Sequence, residues 1–211
     1  MDTTYWGRKF GVMLFKDNIT KENLLKYYVQ YETNLVYIQG IEELKKQGFI
    51  VLAIVCDGRK GLIRSFGNIP VQMCQFHQSA IIRRYLTKNP KLKPSQELME
   101  VVDLMTITDK ESFEGALGLW FEKWEFFLNE RTTNPLTKKS AYTHKKVRSA
   151  YNSLRNNLPW LFTWYDNIEL NIPNTTNAID GHFSDLKNKL RNHNGLSIER
   201  KKKFINEFLK A

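Results

Sequence analysis

Three aspartates stand at positions where carboxylates could do chemistry. Asp2 lies in a predicted first strand, Asp57 ends an apolar run, and Asp180 falls in the first turn of a predicted helix. Carboxylates from adjacent strands and a helix can converge on one sheet edge, where their oxygens suit Mg²⁺ or Mn²⁺. Two such ions can activate a nucleophile and stabilise a leaving oxygen in phosphodiester chemistry. Taken singly, each acid is also typical of ordinary structure, since aspartates favour helix starts and Asp-Gly turns.

The predicted helix 175–191 places further polar groups beside Asp180, after a start that Thr175 or Thr176 can cap. Its apolar residues recur at helical spacing and predict a buried stripe of Ile179, Phe183, Leu186 and Leu190. A neighbouring stripe consists of Asp180, Ser184, Lys187 and Arg191. An acid followed by two cations suits a metal ion at one end and a phosphate backbone along the rest. A solvated helix face explains the two cations equally well.

Cys74 and His77 have the Cys-x-x-His spacing of half a zinc site. A structural zinc needs four ligands, and the sequence offers Cys56 but no second Cys-x-x-Cys or His-x-x-x-His. A buried cysteine with a hydrogen-bonded histidine is therefore favoured over zinc. The chain contains no P-loop, no GxGxxG and no motif for Ser-His-Asp or Cys-His hydrolysis, so nucleotide cofactors and those hydrolytic mechanisms are not expected.

The charge balance favours a polyanionic partner, most simply nucleic acid. Among 211 residues, 32 Lys and Arg stand against 22 Asp and Glu, a net charge of +10. Residues 131–165 contain seven basic residues and no acid, including Lys145, Lys146 and Arg148, and residues 200–203 read RKKK. Either run alone is also typical of a solvated basic face.

Two cysteines predict no disulfide framework and fit a reducing cytosol. The polar and aromatic start of the chain is unlike a signal peptide, and the apolar run 49–56 is too short to span a membrane.

The elements that must position these residues are strands first and helices later. Aromatic and β-branched residues predict two short strands in 2–16 around Gly7-Arg8. Residues 24–31 fit a third strand or a short helix, and their aromatic content favours the strand. A helix in 35–47 is predicted to stop at Gly48. The apolar runs 49–58 and 69–76 predict strands buried on both faces, with a short helix near 59–66 between them. Residues 78–165 are predicted to be entirely helical with a Trp and Phe core, followed by helices 175–191 and 197–210.

Four stretches together resemble the catalytic domain of Mutator-type insertion-sequence transposases. They are DTTYWGRKFGVMLFKD from Asp2, IVCDGRKGL around Asp57, PVQMCQFHQ around Cys74, and NTTNAIDGHFSDLKNKL around Asp180. They follow the family's order and span nearly the whole chain.

The resemblance implies an α/β fold: an RNase H-like mixed sheet with an all-α insertion before the last catalytic acid. Residues 1–77 would begin the core, 78–170 would form the insertion, and 171–211 would complete the core. A DDE/D triad of Asp2, Asp57 and Asp180 would bind two Mg²⁺ or Mn²⁺ ions. Cys74 and His77 match a family motif with a structural or DNA-contacting role. Backbone contacts to DNA are expected from Lys187, Arg191, Lys145, Lys146 and Arg148.

The expected activity is metal-dependent cleavage of a phosphodiester at an element end, followed by attack of the freed 3′-hydroxyl on target DNA. The partners would be element ends, target DNA and further copies of the chain, in a bacterial cytoplasm near the nucleoid and away from membranes. The third acid is Asp where the family usually has Glu, and the first acid is residue 2, which predicts an N-terminally truncated transposase. The alternatives are a non-catalytic remnant that folds and binds DNA, and a general RNase H-type nuclease.

Overall fold

The computed structural model describes residues 1–193 and 195–210. Helices hold 53% of the residues and strands 15%, so the fold is mixed α/β, as predicted. The chain forms two compact units. The first combines residues 1–72 with the described part of 175–211, and the second comprises residues 73–174.

The first unit is built on an antiparallel sheet of three strands in the order β1-β2-β3. The strands are β1 (Asp2–Trp6), β2 (Phe10–Lys16) and β3 (Asn23–Val29), which confirms the three predicted strands. Gly7 takes a φ of +63° in the turn between β1 and β2, a left-handed conformation that glycine adopts without steric cost. Asp2 pairs with Leu14, and Trp6 with Phe10.

Strand β2 is buried along almost its whole length because helices cover both faces of the sheet. Met13 and Phe15 pack on one side with Tyr37, Ile41 and Leu44. These three come from α1 (Asn34–Lys46), which begins at its N-cap Thr33 and is followed by Gly48 at a φ of +91°. The predicted helix and its stop are thus confirmed.

The opposite face of β2 packs against the last two helices. Phe10, Val12 and Leu14 lie in one buried cluster with Ile179, Phe183, Leu186 and Leu190, the four residues of the predicted stripe. These four lie on α7 (Asn177–Arg191), and Ile205 and Leu209 join them from the region of α8 (Ile198–Phe208). The sheet therefore lies between α1 and the pair α7 and α8.

The apolar run 49–58 is a strand only over β4 (Ile54–Cys56), which pairs with β5 (Val71–Met73). The prediction of burial on both faces is wrong for the first half of the run, where Ile50 and Leu52 are 85% and 57% exposed. Within the described residues, strand pairing begins only at Ile54. Ile50 and Leu52 precede the paired segment, and their side chains therefore stay exposed to solvent. A 3-10 helix (Ile63–Phe66) confirms the short helix predicted near 59–66.

The second unit is mainly helical. Helix α2 packs on α5, and α3 packs on α4. The predicted aromatic stripe is core at Phe113, Leu117 and Trp120, which are at most 4% exposed. The helices are α2 (Gln75–Leu86), α3 (Lys93–Leu104), α4 (Lys110–Asn129), α5 (Lys145–Leu161) and α6 (Thr163–Asp166).

The prediction of an all-helical segment 78–165 is wrong in one place. An antiparallel hairpin of β6 (Arg131–Thr133) and β7 (Ser140–Tyr142) stands between α4 and α5. The side chain of Asn134 accepts hydrogen bonds from the backbone amides of Leu136 and Thr137, at 2.9 and 3.0 Å. This asparagine turn reverses the chain at a place where hydrophobic periodicity carries no information.

Candidate functional site

Asp2 begins β1 and faces the α7 side of the sheet. Residues paired across an antiparallel sheet project to the same face, and Asp2 pairs with Leu14, which packs against α7. The next residue, Thr3, projects to the other face, where its hydroxyl lies 2.8 Å from the hydroxyl of Tyr37. The amino group of Met1 donates a hydrogen bond of 2.8 Å to the carbonyl oxygen of Val55. The start of β1 therefore lies beside β4.

Asp57 follows β4 directly and is half-buried. Its Oδ1 accepts a hydrogen bond of 3.3 Å from the backbone amide of Arg59, which closes a short turn at the end of the strand. Ile54 and Cys56 pack in the cluster on the α1 side. Because side chains alternate along a strand, this register favours the α7 side for Asp57.

Asp180 lies in the first turn of α7, next to the buried Ile179, and is itself half-buried. Thr176 occupies the N-cap position, yet its hydroxyl does not accept from the helix backbone. Instead Thr176 Oγ1 donates to Asp180 Oδ2 at 3.1 Å. The predicted cap position is confirmed, and its hydroxyl holds the acid.

The three acids thus belong to one compact unit, and Asp2 and Asp180 lie on the same side of its sheet. Their oxygens are of the type that Mg²⁺ and Mn²⁺ prefer. Among the described residues, however, no group of three or more His, Cys, Asp or Glu side chains lies close enough to hold a metal ion. The donor chemistry fits the predicted metal, and the triad stays a prediction.

A polar network on the other face of the sheet holds the loop that carries Asp57. The guanidinium of Arg59 donates to Asn34 Oδ1 and to the carbonyl oxygen of Glu32, each at 2.7 Å. Glu32 Oε1 also accepts from the hydroxyl of Tyr37 at 2.9 Å. Burial, and to a lesser extent the charge of Glu32, raises the pKa of Tyr37.

Sequence reasoning missed this network, because Glu32 and Arg59 are 27 residues apart along the chain. No periodicity or motif indicates that they meet. Only the packing of α1 against the strands brings them together.

Lys187 and Arg191 line a pocket of about 350 Å³. The remaining lining residues are Tyr5, Trp6, Gly7, Leu190 and Lys201. In the described part of the chain, none of the three cations forms an ion pair, whereas Lys189 of the same helix pairs with Asp185 at 3.0 Å. The sequence indicated Lys187, Arg191 and the basic run 200–203, but Tyr5 and Trp6 showed only the pattern of strand formers.

Cys74 and His77 lie in the second unit, at the start of α2. Cys74 is fully buried, as expected, and His77 is half-buried with its ring centre 6.0 Å from that of Phe76.

The basic residues of the second unit divide into two kinds. Lys145 and Lys146 are exposed on the first turn of α5. Arg148 is held within the unit, since its Nη1 donates to Asn129 Oδ1 at 2.9 Å and its guanidinium lies 4.0 Å from the ring centre of Tyr142. Arg148 therefore has a structural task that its position in a basic run did not indicate.

No model of a known protein family, no curated protein and no solved structure matches the chain. Within the described residues, no helix combines the length and the apolar character needed to cross a membrane.

Proposed function

We propose that the chain is the catalytic domain of a metal-dependent DNA transposase with an RNase H-like core. Asp2, Asp57 and Asp180 would hold the divalent ions. The observation that carries the proposal is the occurrence of these acids in a single compact unit, with Asp2 on β1, Asp57 directly after β4 and Asp180 on a helix that covers the sheet of β1.

The contact between β1 and β4 supports this core. The hydrogen bond from Met1 to Val55 joins the edge of the three-stranded sheet to the pair β4 and β5. In the proposed core, β1 would occupy the middle of the strands, where the RNase H-like core of the resembled family has the strand with its first acid. The acids at the start of β1 and the end of β4 would then be neighbours.

The chain's own residues would perform the following tasks. Arg59 holds the turn of Asp57 in place, and Thr176 orients the carboxylate of Asp180. Lys187 and Arg191 would bind phosphates further along α7, and the exposed Lys145 and Lys146 would add salt-sensitive backbone contacts. When bound, divalent ions supply the activation of water and the stabilisation of the leaving oxygen.

The proposal is tested first by calorimetric binding of Mn²⁺ to the wild type, Asp57→Asn and Asp180→Asn, with circular dichroism to monitor folding. Asp185→Asn is the matched control, because Asp185 is exposed on the same helix and pairs only with Lys189 in the described structure. Binding should be lost in the two site variants and retained in the control. A folded wild type that binds no Mn²⁺ would refute the metal site.

Cleavage of supercoiled DNA is the second readout. Wild-type protein with Mn²⁺ should nick the DNA, and Asp57→Asn should not. Nicking that persists in folded Asp57→Asn would remove this acid from the reaction.

A nucleic-acid-binding domain without chemistry is the second candidate. It is favoured by the lack, among the described residues, of a preformed group of three metal-binding side chains. For such a domain, DNA binding should survive in Asp57→Asn and Asp180→Asn while neither Mn²⁺ binding nor nicking occurs in the wild type.

A further inference from the structure

We infer that the pocket formed by β1, α7 and α8 binds an unpaired nucleotide of a single-stranded nucleic acid. The inference rests on the proposed function for the choice of nucleic acid as ligand. It concerns a different part of the domain from the three acids and does not depend on their chemistry.

The charge of the pocket favours an anionic ligand. Lys187 and Lys201 are half-buried, Arg191 is exposed, and none of the described residues that line the pocket is an acid. Lys187 and Arg191 are four residues apart on α7, a spacing at which like charges repel. A phosphate placed between them would relieve this repulsion.

The surroundings strengthen the positive field. Arg8 and Lys9 are exposed in the turn that follows Gly7, and Arg200 and Lys203 are exposed on α8 beside Lys201. A concave site lined by one sign of charge concentrates oppositely charged ligands.

The indole of Trp6 gives the pocket an aromatic wall, which a site that binds only phosphate would not need. Trp6 is half-buried and stacks on Phe10, with ring centres 5.5 Å apart and planes at 17°. This stacking holds the indole in place from one side. Tyr5 also lines the pocket, but its ring lies over Gly11 on the opposite face of the sheet, so Trp6 supplies the ring on this side. Aromatic rings next to cations are the usual means of holding a base and its phosphate, and only an unpaired base can offer its face.

The pocket lies at the opposite ends of the two elements that begin with Asp2 and near Asp180. Asp2 begins β1 and Trp6 ends it, while Asp180 begins α7 and Lys187 and Arg191 follow towards its end. At 1.5 Å per helical residue, Lys187 lies about 10 Å and Arg191 about 16 Å along the helix from Asp180. A strand that passes the acids can therefore reach the pocket a few nucleotides further on.

Binding of a fluorescent oligo-dT and of a duplex of equal length, measured by anisotropy in EDTA, tests the inference. The variants are Lys187→Gln, Arg191→Gln and Trp6→Leu. Lys189→Gln is the matched control, since Lys189 is on the same helix, loses the same charge and does not line the pocket. Circular dichroism confirms folding of each variant.

Single-stranded DNA should bind more tightly than the duplex. Loss of one phosphate contact in Lys187→Gln or Arg191→Gln should reduce the slope of log affinity against log salt by about 0.7. Trp6→Leu should weaken single-strand binding roughly tenfold and leave the salt slope unchanged. The control should behave as the wild type in its salt slope.

Several outcomes would overturn the inference. Cation variants with the same affinity and slope as Lys189→Gln would show that the pocket is not the site. Equal binding of duplex and single strand, or competition by poly-glutamate as effective as by oligo-dT, would reduce the pocket to a non-specific cationic surface. If Trp6→Leu fails to fold, Trp6→Phe replaces it and should keep part of the single-strand preference.

The two proposals fail in different assays. Binding in EDTA does not involve the metal, so an inactive protein that still prefers single strands would refute the catalytic proposal alone. Conversely, Asp57-dependent nicking without an effect of Trp6→Leu or Lys187→Gln on single-strand binding would refute the pocket alone.

Discussion

Thr176 Oγ1 donates a hydrogen bond of 3.1 Å to Oδ2 of Asp180 across the first turn of α7. Thr176 is only 4% exposed, so water does not replace this donor easily. A helix start with an ordinary capping threonine would use the hydroxyl to accept from a backbone amide. Here the hydroxyl instead fixes the direction of a carboxylate, which is what a metal ligand requires from its neighbours.

Thr176→Val is expected to weaken Mn²⁺ binding about tenfold, because groups that orient metal ligands typically contribute at least that factor. The loss of a hydrogen bond should also reduce the free energy of unfolding by about 1 kcal/mol. Thr176→Ser keeps the hydroxyl and should retain most of the affinity. Calorimetry with urea unfolding measures both effects, and equal Mn²⁺ affinity of the Val and Ser variants would contradict an orienting role.

Arg59→Gln should loosen the loop that carries Asp57. The variant loses the planar guanidinium that donates to Asn34 and to the backbone of Glu32, and glutamine is too short to reproduce both bonds. Backbone amides in residues 57–62 should then exchange with deuterium faster than in the wild type.

Lys60→Gln is the matched control for the loss of charge in this loop, because the Lys60 side chain is exposed and only its carbonyl oxygen is bonded to Asn34. Its exchange should match the wild type. Faster exchange in both variants would mean that charge, rather than the guanidinium contacts, holds the loop.

Much of the first unit is predictable because its signals are local. The three strands and α1 follow from aromatic content, helical spacing and glycine stops, and the buried stripe of α7 is correct at all four positions. Helices α1 and α7 each bury one face, so their helical periodicity is visible in the sequence.

The wrong predictions and the contacts that were not predicted have non-local causes. An apolar run such as 49–58 reveals hydrophobicity but not how far strand pairing extends, and Ile50 is consequently exposed. The hairpin at Asn134 depends on side-chain hydrogen bonds rather than on periodicity. Glu32 and Arg59 meet only after the helices have packed on the sheet, and only then do Trp6 and Lys201 line the same pocket.

Tyr37→Phe should reduce stability at neutral pH and change its dependence on alkaline pH. The hydroxyl bonds Glu32 and Thr3 at 2.9 and 2.8 Å, so its loss should cost about 1 kcal/mol. Burial raises the pKa of Tyr37 above the ordinary 10.0. Above pH 10 the unfolded chain therefore loses this proton while the folded chain keeps it, and wild-type stability falls as the pH rises.

The phenylalanine variant lacks this ionisation, so the gap between the two proteins should narrow above pH 10. Urea unfolding from pH 7 to 11 measures the gap. Tyr31→Phe, at a position that is 73% exposed, is the control and should stay within about 0.5 kcal/mol of the wild type at pH 7. A constant gap across this range would contradict the burial of the Tyr37 hydroxyl.

Gly40→Ala should destabilise the first unit, although alanine is the better helix former. A Cβ at Gly40 of α1 would overlap the ring of Phe15, a fully packed residue of β2. Overpacking of this kind costs about 1–3 kcal/mol, which exceeds the gain of up to about 1 kcal/mol in helix propensity. Gly181→Ala in α7 is the matched control, since a Cβ there meets no atom of the described residues within 4 Å. It should raise the free energy of unfolding by about 0.5–1 kcal/mol. Equal effects of the two substitutions in urea unfolding would mean that α1 and β2 do not pack this closely. That close packing is what positions Tyr37 and Glu32 and, through Arg59, the loop of Asp57.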